Sequence, residues 1–298
     1  MTWLAWRQHR THAIVGAAAL AALAVLLLIT GLQMASQYHS AIAACTAARR
    51  CGNLASTLFL GSHAVGFLVI MTLGVPALLG VFWGAPLVAQ ELETGTSQFA
   101  WMQTITRKHW LTVKAGWILL AAAAWAGAVS ALVTWWSGPD NALQLDAFKP
   151  GRFDITGIVP VGYALFATAL GIAAGAVTRR TVPALAVTLA GFIAARFMIT
   201  ELVRPHYMTA ITTTGTSPQV PPGSWQLAQG MIGPGGKVLP TDGSTCTSGC
   251  VPHGYRAFIT YQPASRYWAF QGIETALFVV LAAALIAVTA IVVLRRDA

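Results

Sequence analysis

The sequence predicts an all-α integral membrane protein of six transmembrane helices, and three observations predict it. Of 298 residues, 56% are hydrophobic and 9% charged, where a soluble domain carries roughly 25% charged residues. Mean hydropathy is +0.65. The apolar residues also fall into six long runs, at about 12–36, 61–88, 111–136, 156–178, 182–203 and 267–294, and about 20 residues suffice to cross the hydrocarbon core. A backbone in lipid must satisfy its own hydrogen bonds. Strands of a membrane barrel are about half as long and alternate. Runs of this length, rich in Ala, Leu and Val, therefore read as helices. Residues 1–298 form one transmembrane domain, with a polar segment at 89–110 and a long loop at 204–266.

The elements follow in order. Residues 2–12 hold Trp3, Trp6, Arg7, His9, Arg10 and His12, a composition that suits an interfacial helix and equally an ordinary charged flank. Span 1 is followed by Ile42-Ala43-Ala44-Cys45, which resembles a lipoprotein cleavage box. Gln33, Gln37, Tyr38 and His39 separate it from the apolar core, so span 1 reads as a retained helix. Span 2 contains Gly74, Pro76, Gly80, Gly84 and Pro86. Proline removes a helix hydrogen bond and crowds the preceding turn, so a kink is expected there. Gly80/Gly84 in span 2 and Gly171/Gly175 in span 4 have the GxxxG spacing that lets helices approach closely. Spans 4 and 5 are joined only by Arg179-Arg180-Thr181 and must form an antiparallel hairpin, with Pro183 in the first turn of span 5, where its missing donor costs little. Residues 204–266 are rich in Gly, Pro, Thr and Ser and read as an outer loop with turns, long enough for a lid or gate. Gly235-Gly236-Lys237 is not a P-loop, because Met231 and Val238 stand where Gly and Ser/Thr are required.

Charge placement sets orientation. The net charge of +9 is spread over span-flanking loops and forms no basic stripe, so no nucleic acid is expected. Arg7, Arg10, Arg107, Lys108, Lys114, Arg179, Arg180, Arg295 and Arg296 lie on one side, in short segments. Lys/Arg density in short loops decides topology, which puts both termini in the cytoplasm. Cys45, Cys51, Cys246 and Cys250 then all fall outside, where disulfides persist. The local pairs Cys45–Cys51 and Cys246–Cys250 are favoured among three pairings, with free thiols the alternative. No metal site is expected.

Two polar features inside this apolar frame carry the functional reading. The first is Ala89 to Trp110, too polar to span a membrane. Gly95 is placed to take the left-handed turn that ends span 2, and Thr96 or Ser97 to cap a new helix. Phe99, Met102 and Ile105 recur at helical spacing, with Trp101 and Gln103 beside them. A short cytoplasmic helix of this kind would dock a soluble partner. The second is a set of ionisable residues within or at the ends of spans: Arg196, Glu201 and Glu274. Such charges are costly in a bilayer and usually paired. Arg196 and Glu274 sit at matching depth below the outer surface, so they are expected to pair. No catalytic set is visible: there is no HExxH, no GxSxG and no acidic metal cluster.

At these residues the chain resembles ABC transporter permeases of the type-2 exporter family, in particular its actinobacterial branch. The likeness lies in Thr2-Trp3-Leu4-Ala5-Trp6-Arg7-Gln8-His9-Arg10, in Gly84-Ala85-Pro86-Leu87-Val88-Ala89-Gln90-Glu91-Leu92-Glu93-Thr94-Gly95-Thr96 with Ala100-Trp101-Met102-Gln103, in the 4–5 hairpin, and in Tyr261 to Trp268 with Phe270-Gln271 and Ile273-Glu274. Many members have Arg where this chain has Gln90. Residues 204–255 are the least alike. The resemblance implies a permease of the plasma membrane, lying among membrane lipids and performing no chemistry itself. It implies a second permease copy or paralogue and two cytosolic ABC ATPase subunits, which carry the ATP and Mg; no cofactor is expected on this chain. It also implies that Glu91, Glu93, Gly95, Thr96, Trp101, Gln103 and Arg107 make the coupling contacts, and that the substrate leaves the cell. A secondary carrier, or a membrane sensor using the 204–266 loop, is the rival reading.

Overall fold

The computed structural model describes residues 14, 16–18, 20–33, 36 and 40, then 63–95, 106–137, 148, 150–216, 218–234, 236–240 and 254–295. Within these, helix α1 (Gly16–Gln33) is followed by α2 (His63–Leu79), which passes through a π-turn (Gly80–Gly84) into α3 (Ala85–Glu93). Helix α4 (Arg107–Trp136) precedes a short α5 (Pro150–Phe153) and the long α6 (Val159–Thr178). Helix α7 (Thr181–Met198) runs into a second π-turn (Ile199–Val203) and a 3₁₀ turn (Arg204–His206), and α8 (Tyr267–Arg295) closes the order. Six helical stretches are long and apolar enough to cross a membrane: Gly16–Gln33, Ile70–Glu93, Lys108–Trp136, Val159–Thr178, Thr181–His206 and Ala264–Arg295. Their number, six, is the number the sequence predicts.

Span 4, helix α6, is the axis of the bundle. Tyr163, Ala164, Ala167, Ala169 and Ile172 are all fully buried, and α8 and both halves of span 2 pack along it. The outer spans instead turn large apolar side chains outward, among them Val182, Phe197, Leu202 and Val280. In lipid this is the expected arrangement, since only the central helix has neighbours on every side.

The crossing of spans 2 and 4 explains the two GxxxG pairs, which face each other. A Cβ on Gly80 would lie 2.5 Å from the Ala167 carbonyl oxygen, and one on Gly84 would lie 2.5 Å from that of Thr168. From the other side, Gly175 would strike the Ala85 carbonyl at 2.7 Å, and Gly171 meets the Gly80 carbonyl and the Ala85 nitrogen. Four glycines on two helices thus bring backbone against backbone.

The expected kink in span 2 takes the form of a π-turn, in which Ala85 N–H donates to the Gly80 carbonyl. Span 5 repeats the device, with Arg204 N–H donating to the Ile199 carbonyl. Each π-turn is followed two residues later by a proline, Pro86 and Pro205. A proline ring clashes with the carbonyl four residues back and supplies no donor, and the wider i→i+5 turn relieves both problems.

Span 1 is held on span 3 at two heights. Trp125 Nε1 donates to the Gly16 carbonyl at 3.1 Å, and Trp136 Nε1 to Thr30 Oγ1 at 3.1 Å. Gly16 and Gly31 leave room for the indoles of Trp83, Trp135 and Trp136.

The 204–266 region differs from its expected form as a turn-rich loop. It contains an antiparallel sheet of four strands, β1 (Ile211–Gly215), β2 (Trp225–Ile232), β3 (Val238–Pro240) and β4 (Arg256–Gln262), in the order β1-β4-β2-β3. Register runs Ile211↔Tyr261 in one pair and Gln226↔Tyr261 in the next, with a bulge between Gln226 and Ala228. The fold is thus a helical membrane bundle with a small sheet on one end, not helices alone. The strands were hard to read because β1 is Ile-Thr-Thr-Thr-Gly, half-exposed and almost without apolar residues. The sheet is moored to the bundle. Gln262 Nε2 donates to the Met208 carbonyl at 2.7 Å, Arg266 Nη1 to that of Thr209 at 2.6 Å, and Trp225 packs on Phe148 at 5.9 Å between ring centroids.

Candidate functional site: two polar clusters at the ends of span 4

Beneath the sheet, five side chains from four elements form a buried ionic network. Asp154 comes from the turn before span 4, Tyr163 from span 4, Arg196 and Arg204 from span 5, and Glu274 from span 6. Arg204 grips Glu274 with two donors, Nε to Oε2 at 2.8 Å and Nη2 to Oε1 at 2.6 Å. The same Nη2 reaches Asp154 Oδ1 at 2.6 Å and the Tyr163 hydroxyl at 3.1 Å. Arg196 Nη2 donates to the other Asp154 oxygen at 2.8 Å. The Tyr163 hydroxyl has one proton for two carboxylates, Asp154 Oδ1 and Glu274 Oε1. The side chains of Arg204 and Glu274 are 2% and 0% exposed, so the pair lies in a medium of low dielectric.

Two guanidinium groups and two carboxylates balance in charge. The guanidiniums also lie over rings: Arg196 is 3.9 Å from the Tyr163 centroid and Arg204 4.6 Å from that of Phe153. Arg196 Nε and Arg204 Nη1, both buried, meet no protein acceptor among the described residues, so the network has donor capacity to spare. Just outside the spans, Tyr207 turns its hydroxyl toward Glu274 at 3.4 Å. Burial, with the Glu274 carboxylate beside it, holds the Tyr207 phenol well above its ordinary pKa.

Asp154 is held by its neighbours. Gln271 of span 6 accepts from Ile158 N–H and Val159 N–H at 3.0 and 2.9 Å, satisfying free donors at the start of span 4. Its amide donates to the Phe153 and Thr156 carbonyls at 3.0 and 3.2 Å. Ser130 Oγ of span 3 donates to the Gly157 carbonyl at 2.6 Å. Gly157 has φ +74, and a Cβ there would meet Gln271 Oε1 at 2.7 Å, so glycine is required twice over.

At the opposite end of span 4 the contacts are more exposed. Lys114 of span 3 pairs with Glu91 near the end of span 2 and sits 5.0 Å from the Trp110 ring centroid. Glu93 Oε2 accepts from Thr181 N–H at 2.8 Å and Thr181 Oγ1 at 2.7 Å, at the first residue of span 5. Gly95 has φ +71, the left-handed value expected of a helix-ending glycine. Arg107 is the first residue of α4, which Thr106 caps by accepting from His109 N–H at 3.3 Å.

A family model described as "ABC-2 membrane transporter related" matches residues 17–204, more than half of the chain. The chain belongs to this ABC-2-related family. The match covers spans 1 to 5, the two facing glycine pairs and four of the five members of the ionic network, and it stops before the sheet. Neither a curated protein nor a solved structure matches the chain. The protein is thus a multi-pass membrane protein of the ABC-2 permease class, a class that implies ABC ATPase partners.

In this ABC-2-related chain the expected Arg196–Glu274 pair is replaced by a different pairing. The two residues share one cluster, but Arg196 binds Asp154 and Glu274 binds Arg204. Sequence reading missed Asp154 and Arg204 because each stood just beyond a predicted span end. A signal was present in the spacing. Eight residues on a straight α-helix leave two side chains about 80° apart. The π-turn at Ile199–Val203 absorbs about one residue, so Arg196 and Arg204 act as if seven apart, two full turns, and reach the same carboxylate. Glu201, on that turn, is exposed. Thr96, Trp101 and Gln103 lie outside the described residues, as do Cys45, Cys51, Cys246 and Cys250.

Proposed function

We propose that the chain is the membrane-spanning subunit of an ATP-driven exporter that moves a lipophilic or amphipathic substrate out of the cell across the plasma membrane. The observation that carries this reading is the family match over residues 17–204, which includes the end of span 2 and the 4–5 hairpin. In this reading ATP and Mg belong to two cytosolic ATPase subunits, and a second permease copy or paralogue completes the assembly. The residues between Gly95 and Thr106 dock on the ATPase, with Trp101 and Gln103 as contacts. The chain itself makes and breaks no covalent bond. It moves substrate by offering it different affinities in two conformations, one of which ATP binding favours.

The arrangement of polarity supports such a role. Charge is concentrated at the two ends of span 4, while the spans between present apolar faces. A lipophilic substrate would meet little electrostatic resistance along them. The sheet on the far end of the bundle is the one observation that favours a second reading, a membrane sensor with a folded outer domain.

A mild-detergent pull-down of the full-length tagged chain from native membranes, read by mass spectrometry, decides between them. The exporter reading expects a stoichiometric P-loop ATPase that is lost on Trp101→Ala with Gln103→Ala. Recovery of intact membrane complexes without an ATPase would refute it in favour of the sensor.

A further inference from the structure

We infer that Glu91 and Glu93 are positioning residues that pass the movement of the span 2–3 connection into the rest of the bundle, Glu91 into span 3 and Glu93 into the 4–5 hairpin. This rests on the exporter reading and names the route by which the motor moves the spans. Two residues apart on a helix means about 200° apart around its axis, so the two carboxylates leave the last turn of span 2 on opposite sides, like the tines of a fork. Glu91 meets Lys114, 23 residues further on, and closes the two ends of the connection on each other. Glu93 meets Thr181, 88 residues further on, and closes span 2 on span 5.

The bond to Thr181 also substitutes for a missing local contact. The first N–H groups of a helix have no partner within it. The residue at the cap position of span 5, Arg180, makes no side-chain capping bond. The carboxylate that fills this role comes from span 2, and a negative charge there also suits the helix dipole. The hairpin is short and stiff: Arg179 is left-handed at φ +55, its N–H donates to the Gly175 carbonyl at 3.0 Å, and Thr181 follows two residues later. A displacement delivered to Thr181 therefore moves spans 4 and 5 together. Span 4 is the helix on which spans 2, 3, 5 and 6 pack.

Coupling of this kind is separable from docking. The test uses the full-length chain purified with its bound ATPase in nanodiscs. Nitroxide side chains at the exposed positions Val187 of span 5 and Ile291 of span 6 report the distance between the spans, without nucleotide and after trapping with Mg-ATP and vanadate. In the otherwise unchanged protein the distance shifts on trapping. Glu93→Ala, which removes the acceptor of both bonds to Thr181, is expected to keep the ATPase at full stoichiometry while the shifted population falls about two- to tenfold, as for loss of ordinary hydrogen bonds. Thr181→Val, which keeps the N–H bond to Glu93, is expected to give a smaller fall. Glu91→Lys is expected to reduce the shift, and adding Lys114→Glu to restore it. A full shift in Glu93→Ala overturns the inference, with the exporter reading intact. Loss of the ATPase in both variants also overturns it, because these residues would then be docking contacts. Absence of any ATPase from the unsubstituted protein overturns the exporter reading, and the inference with it.

Discussion

Replacing Arg204 by methionine removes the one cation, among the described residues, that touches both carboxylates of the buried network. Arg204 supplies two hydrogen bonds to Glu274 and one to Asp154, from a side chain 2% exposed. Without it, two carboxylates face one guanidinium, and Glu274, fully buried, keeps only tyrosine hydroxyls among the described residues. Removing one member of a buried pair typically costs about 3–5 kcal/mol. At about 2.1 cal/mol/K of unfolding entropy per residue, a chain of 298 residues shifts by about 1.6 °C per kcal/mol, so the Arg204→Met protein should melt roughly 5–8 °C below the parent. Thermal unfolding in one detergent, at one fixed scan rate because membrane-protein unfolding is seldom reversible, measures this. The double substitution Arg204→Met with Glu274→Leu should recover most of the loss. Asp154 then retains Arg196, and well-packed apolar replacements of a buried pair are often neutral. A single variant melting within about 2 °C of the parent, or a double variant as unstable as the sum of its parts, would refute the claim that these charges depend on each other.

Other outcomes follow from geometry already described. Gly84→Val should destabilise by about 1–3 kcal/mol or more, because its Cβ would lie 2.5 Å from the Thr168 carbonyl and both sides of the contact are backbone; Gly74→Ala, with nothing within 4 Å, is the control that should melt as the parent. Gln271→Leu should cost about 1–3 kcal/mol and speed amide exchange at Ile158 and Val159, the two N–H groups it accepts from. Trp136→Phe, which keeps one aromatic ring but loses the buried pyrrole ring together with its hydrogen bond to Thr30, should cost about 1–3 kcal/mol in the same melt.

Much of this architecture is legible in the sequence because lipid imposes a simple rule: a span must be long, apolar and helical. The six runs follow from that rule alone. The GxxxG pairs were legible as candidate contacts, but not as contacts of each other, since the spacing does not say which helix a glycine faces. The buried network was half legible. Arg196 and Glu274 stand out inside apolar runs, whereas Asp154 and Arg204 hide in the polar flanks from which they fold back into the bundle. Their partners depend on helix phase, and a π-turn shifts phase without any residue that announces it, apart from the proline two positions later. The sheet was not legible. Thr and Gln are tolerated on its half-exposed strands, and the apolar alternation that marks a strand is weak. Glu93 and Thr181, 88 residues apart in sequence, could be joined only by the three-dimensional path of spans 2 to 5.

The π-turn in span 5 has one more consequence, for how the chain tolerates changes in length. A π-turn is an α-helix carrying one additional residue, so deleting one residue within Ile199–Val203 would return the helix to even winding and leave Arg196 and Arg204 on a common face. Deleting one residue between Thr181 and Arg196 would instead swing both arginines by about 100° relative to Asp154 and Glu274. Span 5 should therefore accept a shorter version of itself at one place near its end and reject the same change a few turns earlier.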